Sequence, residues 1–394
     1  MLLAYFIETL NPYIIQFGHS AWGIRWYGTA YLTGFVIAYF LMSRFIKTGR
    51  MAMPRSRLPD YVIFVAIFGV LIGGRLGEAI LYRPHMFTNF SPPFPYWGLL
   101  KVQYGGMAAH GGIVGVFVAT WIFARRNGYA FLNLMDCSAM VAPIGLFFGR
   151  IANFINGELY GHVWHNPWAV QFPTELIYPP QTKLERTITP TQVHNLIDKV
   201  AAHFANRPRI FHALQVNPRM EIVNLSRENH PYVINLLRQI LLPRIPSQLV
   251  EATTEGLLLF IICYTVGLKW KKPGVAAAAF AVGYPIMRII GEQFRDGDQQ
   301  RMIMGHLISL GVIYSVPMLI LGLIFLAWVI LRRVPDAELA KIRAYSAVGS
   351  KNIENGTIKN RPGTDALPQH EKAPIETAAN GASHKSVTDP DTSK

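Results

Sequence analysis

Seven stretches of this chain are apolar for close to the roughly 20 residues that a helix needs to cross a bilayer core of about 30 Å. They run at about 22–44, 61–82, 108–124, 131–152, 249–268, 274–293 and 307–331 of the 394 residues. In lipid only helices and closed barrels satisfy every backbone N–H and C=O, so segments of this length fold as packed helices. Composition agrees, with 51% of residues hydrophobic and 15% charged, against about 25% charged in a soluble domain. The sequence predicts an all-α polytopic membrane protein with seven transmembrane helices.

The net charge of +14 would suit nucleic acid if it formed one solvated patch. Instead Arg44, Lys47, Arg50, Arg55 and Arg57, then Arg125 and Arg126, then Lys269, Lys271 and Lys272, then Arg332 and Arg333 fall in alternate connections. Such a bias marks cytoplasmic loops. The expected partner is a lipid bilayer and not nucleic acid, and the N-terminus, 83–107, 153–248 and 294–306 are expected outside. Residues 1–17 hold Glu8 and Pro12 and lack a basic leader, so they predict a short interfacial helix and no cleaved signal peptide.

The third outer segment is too long and polar for lipid. It predicts a small extracytoplasmic head domain at about 162–247, with short helices at 191–204 and 231–242 among Pro179-Pro180, Pro190 and Pro208. The membrane domain, head included, is expected to span 1–334. Beyond it, 335–394 is poor in aromatics, and from 336 onward it holds 8 basic and 8 acidic residues, the composition of a disordered cytoplasmic tail. Two cysteines, Cys137 and Cys263, exclude a disulfide framework or a multi-Cys metal site. Gly69, Gly73 and Gly77 are expected to let a neighbouring helix approach closely.

Ionisable residues inside spans mark functional sites by default, and here they gather toward the outer side: Arg75, Glu78, His110, Arg150, Glu251 and Glu255. Tyr284, Arg288, Glu292 and Arg295 share one helical face by their spacing. This predicts a cavity open to the outer leaflet, whereas a transporter or channel would need polar residues through the full depth. Two arginines at the mouths of different helices make a bidentate clamp for a lipid phosphate; the same residues also fit a structural Arg–Glu pair. His110, flanked by Gly105-Gly106 and Gly111-Gly112, suits a general base or a helix cap, and Tyr27 suits an aromatic belt. His162 with His165 and Asp296-Gly297-Asp298 offer weaker signals of metal binding or of a membrane glycosyltransferase or lipid phosphatase, and both also read as ordinary loops.

The run from Gly149 through Arg150, Asn153, Asn156 and Glu158 to Gly161 resembles the signature of the bacterial prolipoprotein diacylglyceryl transferases, with Ala152 where that family typically has Gly. Further matches follow in order: Arg25-Trp26-Tyr27-Gly28, Gly73-Gly74-Arg75-Leu76-Gly77, Gly105-Gly106-Met107 with His110-Gly111-Gly112, Pro167-Trp168-Ala169-Val170 with Phe172-Pro173, Pro246-Ser247-Gln248-Leu249, and Tyr284 through Arg288 to Glu292. The likeness covers roughly 10–331. It implies a multi-pass enzyme of the bacterial inner membrane, with N-terminus and head periplasmic and C-terminus cytoplasmic. Its reaction would move the diacylglyceryl group of phosphatidylglycerol to the lipobox cysteine thiol of a prolipoprotein signal peptide. A thioether forms and glycerol 1-phosphate leaves, the first step of lipoprotein maturation, with neither cofactor nor metal. The resemblance makes Arg150 and Arg288 the phosphate-binding catalytic arginines and His110 the candidate base, with Tyr27, Asn153, Glu158, Gly161, Tyr284 and Glu292 completing the phosphatidylglycerol site. Departures are Ile245 and Val250, where His and Tyr usually flank Pro-Ser-Gln-Leu, Glu78 in place of a Tyr, and a longer head.

Overall fold

Helices carry most of the chain, and their ends follow the sequence. The computed structural model describes residues 5–16, 23–92, 94–101, 105–179, 188–296, 300–303 and 306–354. The long helices are α1 (Trp26–Lys47), α2 (Arg55–Tyr82), α3 (Ala109–Asn127), α4 (Phe131–Asn156), α9 (Ser247–Lys269), α10 (Val275–Glu292) and α11 (Leu310–Leu331). Among the described residues six of these, all but α3, are long and apolar enough to cross a membrane. The chain is therefore a mostly helical, polytopic membrane protein. Helix α3 falls short because His110, three glycines and Arg125-Arg126 dilute its apolar residues.

Glycine seats α3 against α2. A Cβ on Gly73 would lie 2.8 Å from both the Gly111 oxygen and the Gly115 Cα, and one on Gly69 would lie 2.9 Å from the Val116 Cα. The expected close approach is present, and its other half is supplied by Gly111 and Gly115. Parts of α2 and α9 wind as π-helix, at Val65–Leu71, Glu78–Tyr82 and Ala252–Leu258, a local widening common where helices carry functional side chains.

The basic residues do more than mark one end of the bundle. Arg50 donates from Nη1 to Gly267 O and from Nη2 to Leu268 O, filling carbonyls that the last turn of α9 leaves open. Lys272 donates to Ile330 O at 2.7 Å and Arg332 to Pro273 O at 2.8 Å. Helix α10 starts at Gly274 without a cap of its own, and Asp136 of α4 accepts from the Gly274 and Ala277 N–H groups at 2.7 and 2.8 Å.

Between α4 and α9 lie four short helices: α5 (Pro190–His203), α6 (Pro208–Val216), α7 (Pro218–Arg227) and α8 (Pro231–Ile240). Two match the expected pair; α6 and α7 were not foreseen. Each begins with proline, whose fixed φ and missing N–H suit the first turn. Their apolar faces close over Val193, Leu196, Val200, Leu214, Ile222 and Leu237.

Three expectations need correction. The fold is not all-α: strands β1 (Phe6–Ile7) and β4 (Val170–Gln171) pair in parallel, β2 (Tyr13–Gln16) and β3 (Gly23–Arg25) antiparallel, and β5 (Gln300–Ile303) with β6 (His306–Ser309) antiparallel. Residues 1–17 do not form an interfacial helix where described, because Pro12 breaks the run, Asn11 Oδ1 accepts from Tyr13 N at 2.9 Å, and the flanking Tyr and Ile residues favour strand. The chain beyond Pro335 is not structureless throughout, since Asp336–Glu354 forms helix α12. Tyr345 of α12 stacks edge-on against Tyr129, and Ser346 donates to Gly49 O at 3.0 Å. The rest of the expected tail, 355–394, lies outside the described residues.

Candidate active site

The end of the bundle opposite those cations holds the ionisable cluster. Arg150 stands in the last turns of α4, Glu251 and Glu255 in the first turns of α9, and Tyr284, Arg288 and Glu292 on one face of α10. Arg150 Nε and Nη2 reach Glu255 Oε2 at 3.2 and 2.8 Å, while its Nη1 lies 3.0 Å from Glu251 Oε2. Arg288 Nη1 donates to Glu251 Oε1 at 2.7 Å and Glu255 Oε1 at 3.3 Å, and its Nη2 lies 2.8 Å from Glu292 Oε2. Two carboxylates from α9 therefore bridge two arginines from α4 and α10.

The structural Arg–Glu reading of the arginines is present, as a network shared between three helices. Burial of the Glu251 and Glu255 side chains is complete, at 0% exposed, whereas Arg150 and Arg288 retain 11% and 9%. A guanidinium carries five N–H donors; among the described residues the carboxylates accept two hydrogen bonds from each arginine and make one further ion-pair contact with each. Each guanidinium thus keeps N–H donors with no carboxylate hydrogen bond among the described residues, on a pair whose position is fixed by shared carboxylates. Space around the cluster is set by small residues, since a Cβ on Gly311 of α11 would lie 2.8 Å from Glu292 Oε2 and 3.1 Å from Arg288 Nη2.

The Tyr284 hydroxyl is buried with no hydrogen-bond partner among the described residues, within the field of Glu255, Arg288 and Arg150. A buried hydroxyl with no such partner is uncommon. His110, at the start of α3, is also buried; its ring meets those of Tyr284 and Tyr314 edge-on at 6.1 and 6.0 Å, and its Nε2 lies 3.2 Å from Ser315 Oγ. The Tyr27 ring lies tilted against that of Tyr31, centroids 5.3 Å apart, within the field of Glu158 and Arg150.

The signature run leaves α4 at Gly157, which takes φ +67, and doubles back. With its amide set to satisfy both ends, Asn153 donates from Nδ2 to Gly149 O and Glu158 Oε1, each at 3.2 Å. Gln248 of α9 donates to Glu158 O at 2.6 Å. The Gly161 N–H donates to Ile245 O at 2.8 Å, and a Cβ there would meet Ile245 Cβ at 2.9 Å.

Two expected members of the cluster belong elsewhere. Arg75 spends its donors on backbone oxygens of one loop, with Nε to Leu99 O at 2.8 Å, Nη1 to Gly106 O at 2.7 Å and to Gly105 O, and Nη2 to Gly98 O at 2.7 Å and Lys101 O at 3.0 Å. All five of its N–H donors are therefore taken by backbone carbonyls. Glu78 pairs with Arg83 at 3.2 Å.

A second ionic centre, Arg244, was not foreseen. It lies fully buried outside the long helices, makes a bidentate pair with Glu175 at 2.9 and 2.6 Å, reaches Asp296 at 3.2 Å and sits over the Tyr160 ring at 5.0 Å. Burial alone would lower the Arg244 guanidinium, but the hydrogen bonds and charge of Glu175, with Tyr160 and Asp296, raise it above the ordinary value. The only sequence hint was Asp296, read there as part of an acidic pair whose second member, Asp298, lies outside the described residues. His162 Nδ1 approaches Asp296 Oδ1 only to 3.9 Å, and both His165 and His162 stay in a loop.

Apolar helices closing around paired arginines and carboxylates define a polytopic membrane protein with a buried ionic site at one end of its bundle. Comparison with known proteins gives that class a family. The family model for prolipoprotein diacylglyceryl transferase matches residues 12–328, and the chain belongs to this family. A Bdellovibrio bacteriovorus protein named phosphatidylglycerol–prolipoprotein diacylglyceryl transferase is 35% identical over 333 residues, covering 81% of this chain and 93% of the relative. Proteins of the same name from Neisseria gonorrhoeae and Proteus mirabilis are 33% and 34% identical, covering 80% and 81% of this chain and 94% and 92% of their own lengths.

Proposed function

We propose that this chain transfers the diacylglyceryl group of phosphatidylglycerol to the lipobox cysteine of prolipoproteins, forming a thioether and releasing glycerol 1-phosphate. Family membership and the names of its relatives support the reaction. The single structural observation that carries it is the pair Arg150 and Arg288, held on shared carboxylates with donors to spare.

The residues divide the work. Arg150 and Arg288 take the lipid phosphate, bidentate pairing being the geometry guanidinium favours. A thiol of ordinary pKa about 8.5 must lose its proton to attack carbon, and His110 accepts it. The sulfur then bonds to the glycerol carbon, the C–O bond to phosphate breaks, and its electron pair leaves on the phosphate that the arginines stabilise. Tyr284 donates its unfilled hydroxyl to the lipid headgroup, Tyr27, Asn153 and Glu158 line the mouth beyond Arg150, and Glu292 orients Arg288.

This reading places the chain in the bacterial inner membrane. Basic connections lie on the cytoplasmic side with the C-terminus, and the N-terminus and the α5–α8 head lie on the periplasmic side. Helix α3 is the seventh crossing, its polar start at His110 sheltered by α10 and α11. The test is incubation of purified protein with phosphatidylglycerol vesicles and a lipobox peptide, read by the mass of the cysteine adduct. An adduct with wild type and none with Arg150→Ala is the expected result; no adduct with folded wild type rejects the assignment.

A further inference from the structure

Ser315 of α11 stands between the His110 ring and the backbone of its own helix. Its hydroxyl lies 2.7 Å from Gly311 O, one helical turn back in α11, and 3.2 Å from His110 Nε2. A serine hydroxyl has one hydrogen. Two oxygens at 2.7 Å need that hydrogen between them, so Ser315 donates to Gly311 O and offers His110 only lone pairs. The Nε2 position must then carry hydrogen, and in a neutral imidazole the other nitrogen, Nδ1, is the acceptor.

From this geometry we infer that Ser315 is a positioning residue that holds His110 as the Nε2–H tautomer, leaving Nδ1 as the atom that removes the thiol proton. The inference rests on the reading of His110 as base. Nothing else hydrogen-bonds the ring among the described residues, and its plane is set by the edge-on rings of Tyr284 and Tyr314. The charged and titratable groups facing it are Arg288, Glu292 and Tyr284 from α10, Arg150 from α4 and Tyr314 from α11. None of these hydrogen-bonds a ring nitrogen, so among the described residues it is Ser315 that distinguishes the two. The proton leaves sulfur for Nδ1 as the sulfur attacks carbon, and Nε2 keeps its hydrogen throughout.

The test labels histidine nitrogen in the full-length protein in phosphatidylglycerol nanodiscs and assigns the His110 signals by their loss in His110→Gln. Wild type should show hydrogen on Nε2 and a bare Nδ1. Ser315→Ala should give a mixture of tautomers and lower kcat by about tenfold, a modest part of the 10²–10⁴ that a general base contributes, with KM for phosphatidylglycerol unchanged. Ser315→Thr keeps the hydroxyl and its bond to Gly311 O, and should restore both tautomer and rate. Hydrogen on Nδ1 in wild type overturns the inference, as does Ser315→Ala with wild-type tautomer and rate. Full activity in His110→Gln would instead remove the base assignment, an outcome the spectrum of wild type keeps separate.

Discussion

Glu251 places one carboxylate oxygen 3.0 Å from Arg150 Nη1 and the other 2.7 Å from Arg288 Nη1, so one side chain of α9 spaces the guanidinium groups of two other helices. Glu251→Gln keeps the volume, removes the charge and turns an NH₂ toward one arginine. Breaking a buried ion pair from one side costs about 3–5 kcal/mol, and Glu255 remains as a second bridge. The expected result is a lower thermal midpoint by the equivalent of about 3 kcal/mol, with transfer down at least about 100-fold, the loss that follows removal of one preorganised stabilising group. Wild-type transfer at unchanged stability would show that the carboxylate does not space the pair.

Arg150 engages its partners through Nε, Nη1 and Nη2 together. Lysine keeps the charge but presents it as a point, unable to hold Glu251, Glu255 and a phosphate at once. Arg150→Lys is expected to lower kcat by about 10²–10³ while the protein stays inserted and folded. A near-normal rate with lysine would mean that charge alone suffices and that the bidentate geometry does no chemistry.

Much of this site was legible because its residues announce themselves by spacing. Tyr284, Arg288 and Glu292 sit four apart on an apolar helix, so their shared face follows from 3.6 residues per turn. Glu251 and Glu255 carried the same signal at a helix mouth, but nothing local indicated that both would bridge to arginines 101 and 105, or 37 and 33, positions away. Arg75 and Arg150 look alike as isolated arginines near span ends. They differ only in what tertiary packing brings to them, backbone carbonyls of a loop for Arg75 and carboxylates for Arg150. Arg244 and the pairing of β1 with β4 were illegible for the same reason, since the partners lie 52 to 164 residues apart.

Arg75 tests that distinction. It holds the backbone oxygens of Gly98, Leu99, Lys101, Gly105 and Gly106 ahead of His110, and Ala108 N donates to Gly74 O at 3.0 Å. Arg75→Lys leaves several buried carbonyls unfilled, each costing about 1–3 kcal/mol. The expected outcome is faster amide hydrogen exchange across 98–108 and a drop of about 3 kcal/mol in stability. The affinity for phosphatidylglycerol should stay within about twofold, because Arg75 touches none of the donors that Arg150 and Arg288 present. A large loss of lipid affinity without faster exchange would return Arg75 to the anion site.

Glu8 makes the N-terminal strand sensitive to pH. Its carboxylate is buried against the turn that ends α4: Oε1 accepts from Leu10 N at 2.8 Å, and a Cβ on Gly157 would lie 2.7 Å from Oε2. Burial pushes the group up from 4.5 to about 7, with the Leu10 hydrogen bond and the Arg227 charge pulling less strongly the other way. The folded protein therefore holds a proton that the unfolded chain has already lost between those values, and stability is greatest below 4.5 and falls as pH rises toward 7. Across that window the loss amounts to about 3 kcal/mol. Glu8→Gln keeps the hydrogen-bonding oxygen and has no proton to lose, so its thermal midpoint should match wild type near pH 5 and exceed it near pH 8. Parallel curves for the two proteins from pH 5 to 8 would show that Glu8 is charged in the folded state throughout.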